Sequence, residues 1–224
     1  MKQKDIWSQT LAGWLITLIV PGMLLITSIL FLLNPVFLNL EYRRPGFPTD
    51  PSGFTLNERL KYARVSVAYL VNQQEIDYLA DQQLTDGSPL YNERELSHML
   101  DVKVVVQAAL RWWLAGLVLV GLLTWWAYRA GWKRTYWRAL LRAGVLTLAI
   151  IAFFLVYLAV NFDALFTQFH TLFFESGSWV FLYTDSLIRL FPLPFWQDCF
   201  IVVGALSLLG GALLAWQGYK RSRS

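Results

Sequence analysis

The chain has almost none of the side chains from which disulfides, metal centres and nucleophilic sites are built. Among 224 residues there is one cysteine, Cys199, and there are two histidines, His98 and His170. A single cysteine excludes an intramolecular disulfide. The sequence also has no G-x-S-x-G elbow, no HExxH spacing and no phosphate-binding glycine loop. These absences remove the common signatures of serine hydrolases, metalloproteases and nucleotide-binding proteins.

Charge is also scarce. Charged residues make up 15% of the chain and hydrophobic residues 56%, with a mean hydropathy of +0.44. A typical soluble domain has about 25% charged residues, so this composition predicts that lipid is part of the solvent. The net charge is +4, and no basic stretch outside the apolar runs is interleaved with stacking aromatics. The sequence therefore gives no case for a nucleic-acid partner.

Four apolar runs are long enough to cross roughly 30 Å of hydrocarbon, which takes about 20 helical residues. They cover approximately residues 11–33, 104–128, 136–160 and 196–216. The first run is too long for a signal-peptide core and no small-residue cleavage site follows it, so we expect it to stay attached. The sequence predicts a single membrane domain over residues 1–224, with segments 34–103 and 161–195 between spans.

The cations in short loops predict the orientation of these spans, because Lys and Arg favour the cytoplasmic side. Lys2 and Lys4 precede the first span, four cations lie in residues 129–138, and three lie in residues 220–223. All three clusters fall on the same side, so both termini are predicted to be cytoplasmic. The segments 34–103 and 161–195 are then extracytoplasmic.

The extracytoplasmic segments carry signals for short helices. Residues 41–53 are rich in proline and glycine and are predicted to form a loop. Thr55 and Glu58 have the spacing of a capping box, so a helix should begin there and could continue through residues 73–81. Asn92 and Glu95 mark another helix start. The predicted fold is an all-α integral membrane protein with four transmembrane helices and an extracytoplasmic helical cap, formed mainly between spans one and two.

Each histidine lies beside a carboxylate at helical spacing. Arg94, His98 and Asp101 share one face of the predicted helix, and Asp163 shares a face with His170. A lone histidine near a membrane interface is more often a structural hydrogen bonder than a catalyst. Both histidines are predicted on one side of the membrane, however, and imidazole, with a pKa near 6.5, suits proton transfer at neutral pH. The sequence therefore keeps a structural role and a shared acid–base site open.

Three other readings stay open for residues near the histidines. The two imidazoles could hold a divalent metal with Asp101, Asp163 or Glu95, although the spacing matches no known metal motif. Cys199 is either a histidine-activated nucleophile or, as an apolar-flanked thiol, a small packing residue.

Two cationic positions are also interpreted from local spacing alone. Arg111, beside two tryptophans, is predicted to snorkel at the outer interface, with a buried position facing the site as the alternative. Asp185 and Arg189 are predicted to form an i,i+4 ion pair on a short surface helix.

Two motifs resemble a known family. Residues 90–103 read LYNERELSHMLDVK, which resembles the signature of the lipoprotein intramolecular transacylases. Residues 169–174 (FHTLFF), Trp179 and residues 185–192 (DSLIRLFP) resemble the second motif of that family. The four-span layout extends the resemblance over nearly the whole chain.

The resemblance implies an enzyme of bacterial lipoprotein maturation in the cytoplasmic membrane. Members of the family move the sn-2 acyl chain of a diacylglyceryl-modified N-terminal cysteine onto the α-amine of that cysteine, leaving the lyso form. The implied partners are such lipoprotein N-termini and membrane lipid, and no cofactor or metal is implied. A non-enzymatic assembly or partner-binding protein and a metal-dependent intramembrane hydrolase are the alternatives.

We expect His98 and His170 to be the acid–base pair, with the two roles not yet divided between them. Supporting roles are expected for the carboxylates Asp101 and Asp163, and for the motif residues Glu93, Arg94 and Lys103. The expected site lies on the extracytoplasmic side, near the outer leaflet.

Overall fold

The computed structural model describes residues 3–175 and 177–223, and their regular structure is helical apart from one isolated β-bridge, Gln83–Pro89. In chain order the helices are α1 (Gln3–Leu32), α2 (Pro35–Arg43), α3 (Leu56–Val71), α4 (Asp77–Ala80), α5 (Glu93–Arg129), α6 (Lys133–Val160), α7 (Phe162–Phe173), α8 (Ser186–Leu190) and α9 (Leu193–Arg223). Lys2, one of the cations used above for orientation, lies outside the described residues.

Four of these helices are long and apolar enough to cross a membrane: α1, α5, α6 and α9. Each contains one of the predicted spans, and α1 ends one residue before the predicted boundary, at Leu32. The helix α5 is 37 residues long, because the predicted helix that starts near Glu93 and the predicted second span form one continuous helix. The prediction of an all-α protein with four transmembrane helices is confirmed.

Two helices, α3 and α5, begin at the capping residues that the sequence indicates. Thr55 and Glu58 form the reciprocal capping box at the start of α3. At the start of α5, the backbone N–H of Asn92 donates to the Glu95 carboxylate, and the backbone N–H of Glu95 donates to the Asn92 side chain. Both pairs satisfy backbone donors that a helix start leaves free.

Two boundaries in this region differ from the prediction. The helix α3 ends at Val71 and does not continue through residues 73–81, because the Asn72 side chain accepts the backbone N–H of Gln74 and turns the chain. The predicted loop over residues 41–53 begins only at Arg44, since α2 extends to Arg43. Beyond Arg44 the prolines prevent a regular helix.

The chain divides into two compact units. The bundle unit consists of residues 1–29, 110–159 and 201–224, and the histidine unit consists of residues 30–109 and 160–200. The core of the bundle unit is built from buried residues of α1, α5 and α6 with Trp132: Ala12, Ile16, Val20, Ala127, Trp132, Tyr136, Ala139, Leu140 and Ala143. The Arg134 side chain donates to the Ser222 carbonyl, so the start of α6 and the end of α9 lie together.

The histidine unit packs short helices and loops around buried aromatic and polar side chains. The Tyr42 hydroxyl of α2 donates to the Leu190 carbonyl of α8 at 2.5 Å. The Tyr91 hydroxyl lies 2.6 Å from the Ser66 hydroxyl of α3. These bonds satisfy polar atoms that would be costly to bury alone. The Tyr42 bond connects the two interspan segments, whereas the Tyr91 bond lies within the first of them.

Candidate active site

The two imidazoles lie next to each other inside the histidine unit. His98 projects from the second turn of α5 and His170 from the last turns of α7. Their ring centroids are 6.3 Å apart, the ring planes differ by 22°, and each residue is 8% exposed. The cap at Asn92 fixes the start of α5, and the Asn161 side chain caps α7 by accepting the Ala164 N–H. Local capping thus positions both helices that carry the histidines.

Aromatic side chains enclose both rings. The rings of Phe174 and Phe181 meet His98 edge-on, with centroids 5.0 and 5.3 Å away. Phe166 and Trp179 pack against His170 at 4.1 and 4.8 Å. Such an apolar enclosure disfavours a charged imidazole. Burial therefore lowers the pKa of His170 below its usual value, although the hydrogen bond to the Phe166 backbone acts in the opposite direction.

The ring nitrogens of the two histidines have different partners. His170 Nδ1 lies 2.8 Å from the Phe166 carbonyl oxygen. Because a carbonyl can only accept, Nδ1 carries the proton and Nε2 presents a lone pair. The Nδ1 atom of His98 is buried and has no hydrogen-bond partner among the described residues. A buried polar atom without a partner is costly.

A buried carboxylate, Asp185, ties the second interspan segment to the start of α5. Its oxygens accept from Arg94 Nη2 at 2.9 Å, from the Asn92 side chain at 3.1 Å and from the Leu182 backbone at 2.8 Å. The Arg94 guanidinium also lies over the Phe181 ring, 5.6 Å from its centroid. Asp185 therefore holds both the cation of the first motif and the chain that carries an aromatic wall of the site.

Glu95 makes a second connection of this kind. One oxygen accepts the Leu187 backbone N–H at 2.7 Å, and the other accepts the Asn92 backbone N–H at 2.8 Å. Glu95 is 2% exposed. Its position shows a structural task for this residue, at the junction of α5 and α8.

The predicted ion pair between Asp185 and Arg189 is wrong. Arg189 instead reaches Asp50, 139 residues away in sequence, with Nε and Nη2 at 3.2 and 2.9 Å from the same oxygen. The Asp50 side chain is fully buried, and the Arg189 guanidinium stacks 3.5 Å from the Phe54 ring centroid. Asp185 takes Arg94 as its partner. Both ions are satisfied by partners remote in the sequence, so the local spacing did not indicate the contact.

The remaining predicted residues differ in their burial and contacts. Lys103 donates to the Gln74 carbonyl at 2.5 Å and to the Asn72 side chain at 3.2 Å, and its ammonium lies over Tyr69. Glu93 and Asp163 are exposed, and Asp101 is half-buried. The one hydrogen bond described for His170 goes to a backbone carbonyl. Supporting roles for these residues stay predictions.

Three further expectations concern Arg111, Cys199 and metals. Arg111 is exposed, consistent with an interface position, and Cys199 is buried as a free thiol. Within residues 3–175 and 177–223, no three His, Cys, Asp or Glu side chains are grouped closely enough to hold a metal ion.

Sequence reasoning missed three residues of the site. Phe181 and Trp179 form walls around the imidazoles, and Asp185 anchors the segment that carries them. Trp179 and Asp185 belong to the second motif, which is the signal that could have found them. No local pattern indicates Phe181, which lies in a stretch without helical periodicity.

Comparisons with known proteins show the family and the fold. The family model of the lipoprotein intramolecular transacylase Lit matches residues 14–196. An uncharacterized protein of Aquifex aeolicus strain VF5 is 29% identical over 191 residues, which is 81% of each chain.

A solved membrane-integral structure, the lipoprotein intramolecular transacylase Lit of Bacillus cereus, shares the fold with a TM-score of 0.80, at 18% identity and with 96% of each chain covered. A variant of that protein with a histidine replaced by arginine gives a TM-score of 0.70 at 20% identity, covering 100% of this chain and 97% of the other. This protein is therefore membrane-integral and belongs to the lipoprotein intramolecular transacylase family, whose name implies a transacylase acting on lipoproteins.

Proposed function

We propose that this enzyme transfers the sn-2 acyl chain of a diacylglyceryl-cysteine lipoprotein to the α-amine of the same cysteine. The observation that carries the proposal is the pair of buried imidazoles with centroids 6.3 Å apart in an aromatic enclosure. Amine attack on an ester requires a base for the amine proton and a donor for the ester oxygen. Two imidazoles with different nitrogen partners suit these two tasks.

His170 is proposed as the general base. The Phe166 carbonyl holds the proton on Nδ1, so Nε2 is the free lone pair. The lowered pKa keeps the ring neutral at pH 7, which is the form that can accept a proton. The attacking amine must also be neutral, and with a pKa near 8 about a tenth of it is so at pH 7.

His98 is proposed as the hydrogen-bond donor to the ester oxygen. Its Nδ1 lacks a partner among the described residues, and the enclosure by Phe174 and Phe181 lowers the local dielectric. A donor in such an environment stabilises developing negative charge more than it would in water. The unsatisfied nitrogen then gains its bond only when substrate is present.

The proposed step balances without an external reactant. The amine nitrogen bonds to the acyl carbon, and its proton passes to His170 Nε2. The bond between the acyl carbon and the glyceryl oxygen breaks, and the protonated His170 returns its proton to that oxygen. Since amine and ester belong to one molecule, holding them in contact lowers the barrier by itself. No protein nucleophile is required.

Supporting roles are proposed for the other motif residues. Arg94, held by Asp185 beside Phe181, is suited to keep the aromatic wall against His98. Asp101, Asp163, Glu93 and Lys103 are proposed as more distant contributors to charge around the site. We propose that the site faces the outer leaflet of the bacterial cytoplasmic membrane with both termini cytoplasmic, supported by the three basic clusters.

A doubly labelled substrate tests the reaction. Purified protein in detergent is incubated with a synthetic diacylated lipopeptide that carries acyl chains of different mass at sn-1 and sn-2. Mass spectrometry of the product should find the sn-2 chain on the N-terminal amine, without added ATP, metal or second protein. The N-acetylated lipopeptide, whose amine is blocked, is the matched control and should remain unchanged. Conversion of the blocked substrate, or the sn-1 chain on nitrogen, would contradict the proposal.

A crossover experiment separates intramolecular from intermolecular transfer. Two lipopeptides, one heavy in the peptide and one heavy in the sn-2 chain, are mixed at equal concentration. Intramolecular transfer keeps each acyl chain on its own peptide. Products that combine the heavy peptide with the heavy acyl chain would exclude the intramolecular step. An absence of any conversion would favour a non-enzymatic partner-binding protein.

A further inference from the structure

A cationic cavity lies in the bundle unit, among residues that the transacylase reaction does not use. Its volume is about 490 Å³, and it is lined by Lys133, Arg134, Trp137 and Arg221. Ligand sites in proteins commonly enclose roughly 300–1,000 Å³. Three cations and one aromatic ring around a space of that size are suited to an anion with an apolar part.

Contacts hold the lining side chains in place. The Arg134 Nε donates to the Ser222 carbonyl at 3.1 Å, which leaves its Nη groups for other acceptors. The Arg221 guanidinium lies over the Trp137 ring, 4.7 Å from its centroid, and the Lys133 ammonium lies over Tyr128 at 4.6 Å. The cations are thus arranged before any ligand arrives, which reduces the entropy cost of binding.

The backbone adds positive potential at the same place. Lys133 and Arg134 form the beginning of α6, where the helix macrodipole is already positive. Cations at a helix start are unfavourable unless an anion offsets both charges. An anion in the cavity would offset the positive helix start and the charges of Lys133 and Arg134 together.

Aromatic side chains at this end indicate the depth of the cavity in the membrane. Tyr128, Trp216 and Tyr219 are 43%, 57% and 50% exposed, and they lie at the ends of α5 and α9. Exposed tyrosine and tryptophan at the ends of membrane helices mark the headgroup level. An anion at that depth is the phosphate of a lipid, whose acyl chains can follow the apolar helix surfaces.

We infer that this cavity binds the headgroup of an anionic phospholipid, with the lipid phosphate between the start of α6 and the end of α9. The ligand class is a glycerophospholipid with net negative charge. The binding joins Lys133 and Arg134 of α6 to Arg221 of α9, so the lipid should stabilise the bundle unit. This inference does not depend on the transacylase activity.

Thermal unfolding and native mass spectrometry of the purified full chain test the inference. Phosphatidylglycerol should bind and raise the Tm, whereas phosphatidylcholine with the same acyl chains should not. Each cation near an anionic headgroup contributes about 1 kcal/mol, or about fivefold in affinity. The Lys133→Gln/Arg134→Gln double variant should therefore bind phosphatidylglycerol roughly 25-fold more weakly. The single variant Lys133→Gln, at an exposed position, should bind phosphatidylglycerol about fivefold more weakly. It replaces the double variant in the test if the double variant does not fold.

The matched control is the Arg129→Gln/Arg138→Gln double variant, which removes the same charge near the same end but does not line the cavity. It should retain the affinity for phosphatidylglycerol. An equal loss in both double variants would reduce the effect to general surface charge and overturn the inference. Inorganic phosphate that reproduces the Tm increase would identify a free-anion site and also overturn it, as would equal binding of phosphatidylcholine.

Discussion

The bundle unit and the histidine unit are held together by different interactions. In the bundle unit, α6 and α9 approach so closely that a Cβ on Gly144 would lie 2.5 Å from the Ala215 backbone nitrogen. The hydroxyls of Ser28 and Ser207 join α1 and α9 at 3.0 Å. The histidine unit instead buries the carboxylates Glu95 and Asp185 against backbone N–H groups and a guanidinium.

The difference follows from what each unit has to do. Between apolar helices in lipid there is little hydrophobic driving force, so small residues and close backbone contact supply the stability. The proton-transfer site proposed for the histidine unit needs buried polar groups, and most buried polar groups in proteins have a partner. The comparison predicts that lesions in the bundle unit lower stability, whereas loss of an imidazole lowers the reaction rate at nearly constant stability.

Replacing either imidazole should have the largest effect. His170→Asn removes the base and keeps a polar side chain of similar size, so kcat/KM for the diacylated lipopeptide should fall about 10²- to 10⁴-fold. In His98→Asn, kcat/KM should fall by a comparable factor. The Tm should change by less than about 4 °C, which corresponds to roughly 1 kcal/mol for a chain of this size. Steady-state kinetics and thermal unfolding in the same detergent measure both quantities.

The control for His170→Asn is Gln168→Ala, an exposed position on the same helix, which should leave the rate unchanged. A His170→Asn protein with wild-type kcat/KM would return this residue to a structural role. A large drop in Tm with a proportionate drop in rate would show that the imidazoles serve packing.

Gly144→Ala should give the next largest effect, on stability. The added methyl group would meet the backbone of α9 at 2.5 Å, and backbone cannot move aside as a side chain can. Overpacking of this kind costs about 3 kcal/mol. Gly121→Ala in α5, where a Cβ meets no heavy atom within 4 Å, is the matched control and should be neutral or slightly stabilising. Equal destabilisation by both substitutions would show that backbone contact is not what holds the bundle unit.

The sequence predicted those parts of the fold that depend on neighbouring residues. Apolar run length located the four spans, and the pairs Thr55–Glu58 and Asn92–Glu95 located two helix starts, because capping involves residues three apart. The C-terminal end of α3 was less predictable. Helical periodicity continues weakly past Val71, and the turn depends on one side-chain contact, from Asn72.

The site was predictable only where composition or a motif marked it. The chain has only two histidines, which made them candidates for the site, and the structure places their rings next to each other. The pairing of Arg189 with Asp50 and of Arg94 with Asp185 was not predictable, since these partners lie 139 and 91 residues apart. A spacing rule compares neighbours on one helix, and it paired Asp185 with Arg189. Tertiary folding instead brought a more distant partner to each of these two residues.

Asp185→Asn should have a smaller and local effect. The substitution keeps the shape but removes the charge that Arg94 and the Leu182 N–H both face. Hydrogen bonds to charged groups contribute about 1.5–3 kcal/mol. The free energy of opening the segment around residues 182–187 should therefore fall by about 2 kcal/mol. Hydrogen exchange of peptides from this segment measures the change. Asp86→Asn is the control, because that exposed carboxylate accepts from Ser88 in its own turn. Unchanged exchange in Asp185→Asn would mean that Glu95 alone holds the segment.

The pH dependence of kcat/KM gives the smallest effect and sharpens the comparison most. Burial disfavours the charged imidazole and lowers the pKa of His170, so more of His170 is neutral at pH 6.5 than the half expected of an ordinary histidine. From pH 8 downward the rate should fall tenfold per unit, because only the neutral amine attacks. The slope should change from one towards two, and the midpoint of that change should lie below pH 6.5. An ordinary histidine would already lower the rate about twofold at pH 6.5, so a break centred at or above pH 6.5 would show that the aromatic enclosure does not control the base. A lipopeptide with a less basic α-amine should move the upper break of the profile and leave the lower break in place.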